Sequence, residues 1–137
     1  MPPVWICPDC GRAFNRVRTK HSCGTGDRGA MLAGKPADLV ALYEQLERAA
    51  RSHGAIEIVS KDRYALFRTT RIFADVVFMK DALRLALQLD RVIDDPIFFK
   101  TAQDPRGRVQ QVAKLRTRAD LRTIEPYLAE AYLYASK

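Results

Sequence analysis

The chain has 137 residues, 47% of them hydrophobic and 28% charged, and its 23 Lys and Arg against 16 Asp and Glu give a formal net charge of +7. That length suits one ordinary domain plus a small appendage, and no apolar run is long enough to cross a membrane. The basic balance permits contact with nucleic acid or another polyanion without demanding it. The absence of a secretory leader pattern, together with cysteines spaced for metal binding, predicts a cytoplasmic protein.

All three cysteines and one of the two histidines fall between residues 7 and 23, in the order C-x2-C-x10-H-x-C. Cys7 and Cys10 are two apart and Gly11 follows, which suits a tight turn aiming both sulfurs at one point. His21 and Cys23 add a nitrogen and a third sulfur, so the set predicts a Cys3His site for one structural Zn2+ per chain. Four protein ligands would close the coordination shell, and the metal would stabilise a segment too short to bury much apolar surface. A disulfide between Cys7 and Cys10 is the competing reading, but an odd cysteine count fits it badly. A redox C-x-x-C pair has no need of the downstream His-x-Cys. The single residue between His21 and Cys23 is a shorter gap than helical half-sites use, so the chain must leave any helix there, as Gly24 permits.

Residues 15–35 are polar, basic and dotted with glycine. Arg12, Arg16, Arg18 and Lys20 could form a small phosphate-binding face, and equally a solvated finger surface. The glycines from Gly24 to Gly34 read as a linker. The division expected is a zinc-finger-like segment and linker over 1–34, then a domain over 35–137.

Pro36 opens an amphipathic helix in which Leu39, Leu42, Tyr43, Leu46 and Ala50 recur at helical spacing, with Gly54 just past its end. His53 reads as a cap at that end. The period then changes to two. Strands are expected around Ile56–Ile58, over 63–68, over 72–79, over 83–89 and over 109–115, and Leu83, Leu85, Leu87 and Leu89 give the cleanest alternation. Asp94-Asp95-Pro96 and Asp104-Pro105-Arg106-Gly107 are turns. A second helix follows, capped by Thr117 with Asp120 three residues on, and Pro126 should kink or split it. The fold class expected is α+β: a five-stranded, meander-like antiparallel sheet in the order α-β5-α, with both helices on its apolar face.

The chain resembles, nearly end to end, a family of small bacterial proteins catalogued as domain of unknown function 5655, often preceded by a zinc-finger-like segment. The resemblance is carried by Trp5-x-Cys7-Pro8-x-Cys10-Gly11-Arg12-x-Phe14 with His21-Ser22-Cys23-Gly24, and by Leu32-Ala33-Gly34-Lys35-Pro36. Arg71-Ile72-Phe73-Ala74-x-Val76, Asp94-Asp95-Pro96 and Ala129-Glu130-Ala131-Tyr132 extend it. It supports the fold and zinc expectations and implies no reaction. Where relatives tend to carry an aromatic or histidine-containing pattern in the fifth strand, this chain has Val109-Gln110-Gln111-Val112.

The sequence holds no phosphate loop, no nucleophile elbow and no H-E-x-x-H, and with the cysteines committed to metal no thiol nucleophile is left. Asp94 and Asp95 could pair as carboxylates but read as turn chemistry beside Pro96. What remains is a surface. Opposite the leucine face, Arg84, Gln88, Gln110 and Lys114 should cluster if the last two strands are neighbours, with Arg68 and Arg71 at the border. Aromatic stacking platforms are not evident there. The function expected is a zinc-binding protein that binds nucleic acid or another polyanion through Arg12, Arg16, Arg18, Lys20, Arg84 and Lys114. The alternatives are a module for a protein partner or a small ligand, and an enzyme with an unrecognised site.

Overall fold

A computed structural model describes residues 5–6, 13–18 and 27–137. Near the start, Trp5–Ile6 (β1) pairs antiparallel with Ala13–Phe14 (β2), matching Trp5 to Phe14 and Ile6 to Ala13. The remaining elements are the helices Arg28–Leu32 (α1) and Ala37–Arg51 (α2), the strands Glu57–Ser60 (β3), Tyr64–Arg68 (β4), Ile72–Phe78 (β5), Leu83–Leu89 (β6), Phe98–Gln103 (β7) and Val109–Leu115 (β8), and the helix Arg118–Ala135 (α3). β3 to β8 form one antiparallel sheet in the order β3-β4-β5-β6-β8-β7.

The alternation of β6 explains the layering. Leu83, Leu85, Leu87 and Leu89 are fully buried, opposite Leu115, Ala113, Gln111 and Val109 of β8. Upon this face α3 lays Leu121, Ile124, Leu128, Ala131 and Ala135, and α2 lays Leu39, Leu42, Tyr43, Leu46 and Ala50. Tyr43 touches both Phe67 and Phe78, with ring centroids 6.3 and 5.3 Å apart. Both long helices therefore cover one face of the sheet, as the apolar patterns predict, and leave the other without a helical layer among the described residues. α3 opens on the predicted capping box: Thr117 Oγ1 accepts from the Asp120 amide, and the Asp120 carboxylate accepts from the Thr117 amide.

Three expectations are corrected. The sheet has six strands and not five, because Phe98–Gln103 forms β7. It is an edge strand with five exposed residues in six, so it lacks the alternation that marks a half-buried strand. The meander consequently holds only from β3 to β6. β7 then passes to the far edge, and β8 returns between it and β6. Third, of the kink or split expected at Pro126 the split does not occur: α3 runs through it as one helix of 18 residues. Pro126 and Arg122 are both exposed, so the carbonyl deprived of its intrahelical donor faces water.

The glycine-dotted stretch expected to be a linker carries α1. Asp27 caps it by accepting from the Ala30 amide at 3.1 Å, and Arg28 pairs with Glu47 of α2 at 3.0 Å. Met31 is fully buried in the main core, so a shortened chain meant to fold alone should begin at Asp27.

Gly54, just past the end of α2, sits at φ +149°, a conformation that side chains rarely adopt, and a Cβ there would collide with the Tyr132 hydroxyl. Tyr132 is held edge-on to Phe73 at 5.6 Å and against His53 at 6.0 Å, so it has little room to retreat. Gly54→Ala should therefore cost about 2–3 kcal/mol in chemical denaturation. Adding Tyr132→Phe should recover part of that loss, and an unchanged midpoint in the single variant would contradict the packing described.

Candidate functional site

The registers of β4, β5, β6 and β8 set a row of side chains across the open face: Tyr64 opposite Val77, Val77 opposite Arg84, and Arg84 opposite Lys114. With strands about 4.8 Å apart, the row runs about 14 Å from Tyr64 to Lys114. Phe99 of β7 extends it, its ring lying 5.2 Å from Lys114 Nζ. Tyr64 and Phe99 are 37% and 52% exposed, enough for each ring to offer a face to a ligand. The next row comprises Leu66, Asp75, Ala86, Val112 and Lys100, and the one beyond it holds Gln88 opposite Gln110, opposite Ala102.

Electrostatically the first row is unusual. Like charges directly opposite each other on adjacent strands are destabilising, yet Arg84 and Lys114 are paired so. Among the described residues neither makes an ion pair. The carboxylate nearest in the register is Asp75, whose pKa is raised by burial while Arg84 pulls it the other way. A surface that retains two facing cations beside two exposed aromatic rings has the makings of a site for a polyanion with flat groups.

The expected clustering is thus present: Arg84 faces Lys114 and Gln88 faces Gln110, since β6 and β8 are neighbours. Arg68, on the same face, pairs with Glu57 at 3.3 Å. Arg71 instead donates to the Tyr134 carbonyl at 2.6 Å and stacks on its ring. Aromatic rings, not evident on this face from the sequence, are present there as exposed Tyr64 and Phe99. Phe99 and Lys100 were hidden because β7 was not read as a strand. The signal that could have found them is Phe98-Phe99-Lys100-Thr101, aromatic and β-branched residues directly after a turn.

Asp95 does the turn work expected of it. Its carboxylate accepts from the Ile97 amide at 2.9 Å and from the Tyr127 hydroxyl at 2.6 Å, and the Tyr127 bond above all holds it below the usual carboxylate range. The loop from Asp90 to Ile97 is pinned again by Arg91, which grips both oxygens of Glu130 at 3.0 and 2.8 Å. A third tie comes from Gln111, buried on β8. Its Oε1 accepts from the Ile93 amide at 2.7 Å, and its Nε2 donates to the Ile93 carbonyl at 3.0 Å and to Thr101 Oγ1 at 3.2 Å.

The expected zinc ligands Cys7, Cys10, His21 and Cys23 lie outside the described residues, as do Arg12 and Lys20. Among the described residues no group of three His, Cys, Asp or Glu could hold a metal ion. β1 and β2 pair on either side of the Cys-Pro-Asp-Cys-Gly-Arg segment. Three thiols and an imidazole are a donor set of the kind zinc takes. Arg16 and Arg18 are exposed just after β2. No described helix is long and apolar enough to cross a membrane.

A family model described as Domain of unknown function (DUF5655) matches residues 29–135. No curated protein and no solved structure matches the chain.

Proposed function

The chain belongs to the DUF5655 family, a membership that carries no assigned reaction, and we propose that it is a zinc-stabilised binding protein whose open sheet face holds a single-stranded nucleic acid. The observation that carries this reading is the facing pair Arg84 and Lys114, flanked in one row by exposed Tyr64 and Phe99. Cations along the row would neutralise phosphates, and the rings would stack with bases that a single strand leaves free. A duplex keeps its bases stacked inside and would use only the cations. Lys100 adds a third charge to the sheet face, and Arg12, Arg16, Arg18 and Lys20 of the finger segment supply further phosphate contacts.

The test is fluorescence anisotropy with a labelled 12-nucleotide single strand at two or more salt concentrations. Three sheet cations imply a log–log slope of about −2, steepening towards about −5 if the four finger cations join. Single strands should bind more tightly than duplex of the same length. A second reading has its own observation: Ile72 and Met79, 41% and 39% exposed, lie at the border of the same face and would suit a protein partner. Absent or salt-insensitive binding of nucleic acid would favour that reading.

The finger segment is assigned one zinc per chain through Cys7, Cys10, His21 and Cys23. Metal analysis of protein purified without chelators should give about one equivalent, and Cys23→Ser should lower zinc affinity at least tenfold. Well under one equivalent, or full affinity in that variant, would contradict the assignment.

A further inference from the structure

Beside the basic row lies a cavity of about 400 Å3 bounded by Leu66, Arg71, Ile72, Asp75, Gln88 and Arg108 and closed by Tyr134 and Ala135 at the C-terminal end of α3. Its charged groups are of two kinds, one carboxylate and two guanidinium groups. Asp75 is half-buried and its side chain makes no hydrogen bond among the described residues, so its carboxylate has no protein donor there. Arg71 and Arg108 are exposed. Each spends part of its guanidinium, Arg71 Nη2 on the Tyr134 carbonyl and Arg108 Nε on Asp104 at 2.7 Å, and keeps further N–H groups for an anion. Leu66 and Ile72 give apolar wall. A fitting ligand offers hydrogen-bond donors to Asp75 and an anionic group to the arginines, with apolar surface against Leu66 and Ile72.

We propose that this cavity receives one unstacked base of the bound strand and selects guanine through Asp75. The proposal rests on the single-strand reading above and adds sequence preference to it. Guanine alone presents two adjacent donors, N1–H and the N2 amino group, spaced for the two oxygens of a carboxylate. Adenine and cytosine offer one donor beside a ring-nitrogen acceptor, and thymine offers one donor between two carbonyls, so each sets a lone pair against the carboxylate. Asp75 lies one residue pair along β5 and β6 from the row of Arg84, since Asp75 faces Ala86 and Val77 faces Arg84. That step is about 7 Å, close to the span of one nucleotide. Burial that leaves the carboxylate poorly hydrated increases what it gains from two donors. The rim arginines would meet the flanking phosphate.

The experiment compares labelled 12-nucleotide strands, one all thymine and others with a single central guanine, adenine or cytosine, on the full chain. The guanine strand should bind about tenfold tighter than the adenine and cytosine strands. Asp75→Asn should abolish that preference while binding all-thymine no more weakly than the native chain does. Equal affinity for guanine and adenine strands, or a preference that survives Asp75→Asn, overturns the guanine assignment alone. Failure of every strand to bind at low salt overturns the sheet-face reading, and the guanine assignment with it.

Discussion

Lys114→Glu should weaken single-strand binding by about 30-fold or more at moderate salt, while leaving the unfolding midpoint unchanged or slightly raised. The two effects have one cause. Lys114 sits directly opposite Arg84, so a glutamate there converts a like-charge pair into an opposite-charge pair, a contribution of about 0.2–1 kcal/mol in favour of the fold. The same change removes one phosphate contact, engages Arg84, and deprives the Phe99 ring of the cation beside it. Two contacts at about 1 kcal/mol each correspond to roughly 30-fold. If the face is merely solvated, strands should bind native and variant chains alike. A fall in stability would instead mean that Lys114 has a packing role the register does not reveal.

The second large effect is expected from Gln111→Leu. Leucine would suit a position opposite Leu87 by apolarity, but it leaves the Ile93 amide and carbonyl without their partner in a buried setting. Buried backbone groups stripped of partners cost about 1–3 kcal/mol each, so destabilisation of about 3 kcal/mol is expected in urea or guanidinium titrations. Gln111 is also one of the ties that carry the chain from β6 over to the far edge, where β7 must pair. Loosening that loop should displace Phe99 and Lys100, so strand binding should weaken even at temperatures where the variant stays folded. A variant as stable as the native chain would show that the loop is held by Arg91 and Asp95 without it.

These two residues also mark where sequence reasoning succeeded and stopped. Arg84 and Lys114 could be placed on one face because the apolar residues of β6 and β8 alternate with polar ones, although Ala86 and Val112 on the outer side are buried too. α2 and α3 were legible for the same reason at the helical period, and the Thr117 cap was readable from two residues. The role of Gln111 gives no local signal, because it is a polar residue at an inward position whose partners are Ile93, in a loop 18 residues away, and Thr101 of β7. β7 was lost because an edge strand has no inner face rich enough to show a period. Losing it hid both the strand order and half of the aromatic row. α1 was masked by Gly29 and Gly34, although Asp27 capping the Ala30 amide is a local signal. Asp75 could be named in β5, but the lack of a donor for its side chain depends on its neighbours in β4 and β6.

The central claim, that the open face of the sheet is the binding surface, is tested most directly by mapping amide chemical shifts of the isotope-labelled full chain during titration with the all-thymine 12-nucleotide strand at low salt. The largest shifts are expected at Tyr64, Val77, Arg84, Lys114 and Phe99–Lys100, with α2 and the exposed side of α3 unmoved. Shifts concentrated on the helices, or none on the sheet while the strand is bound, would contradict it.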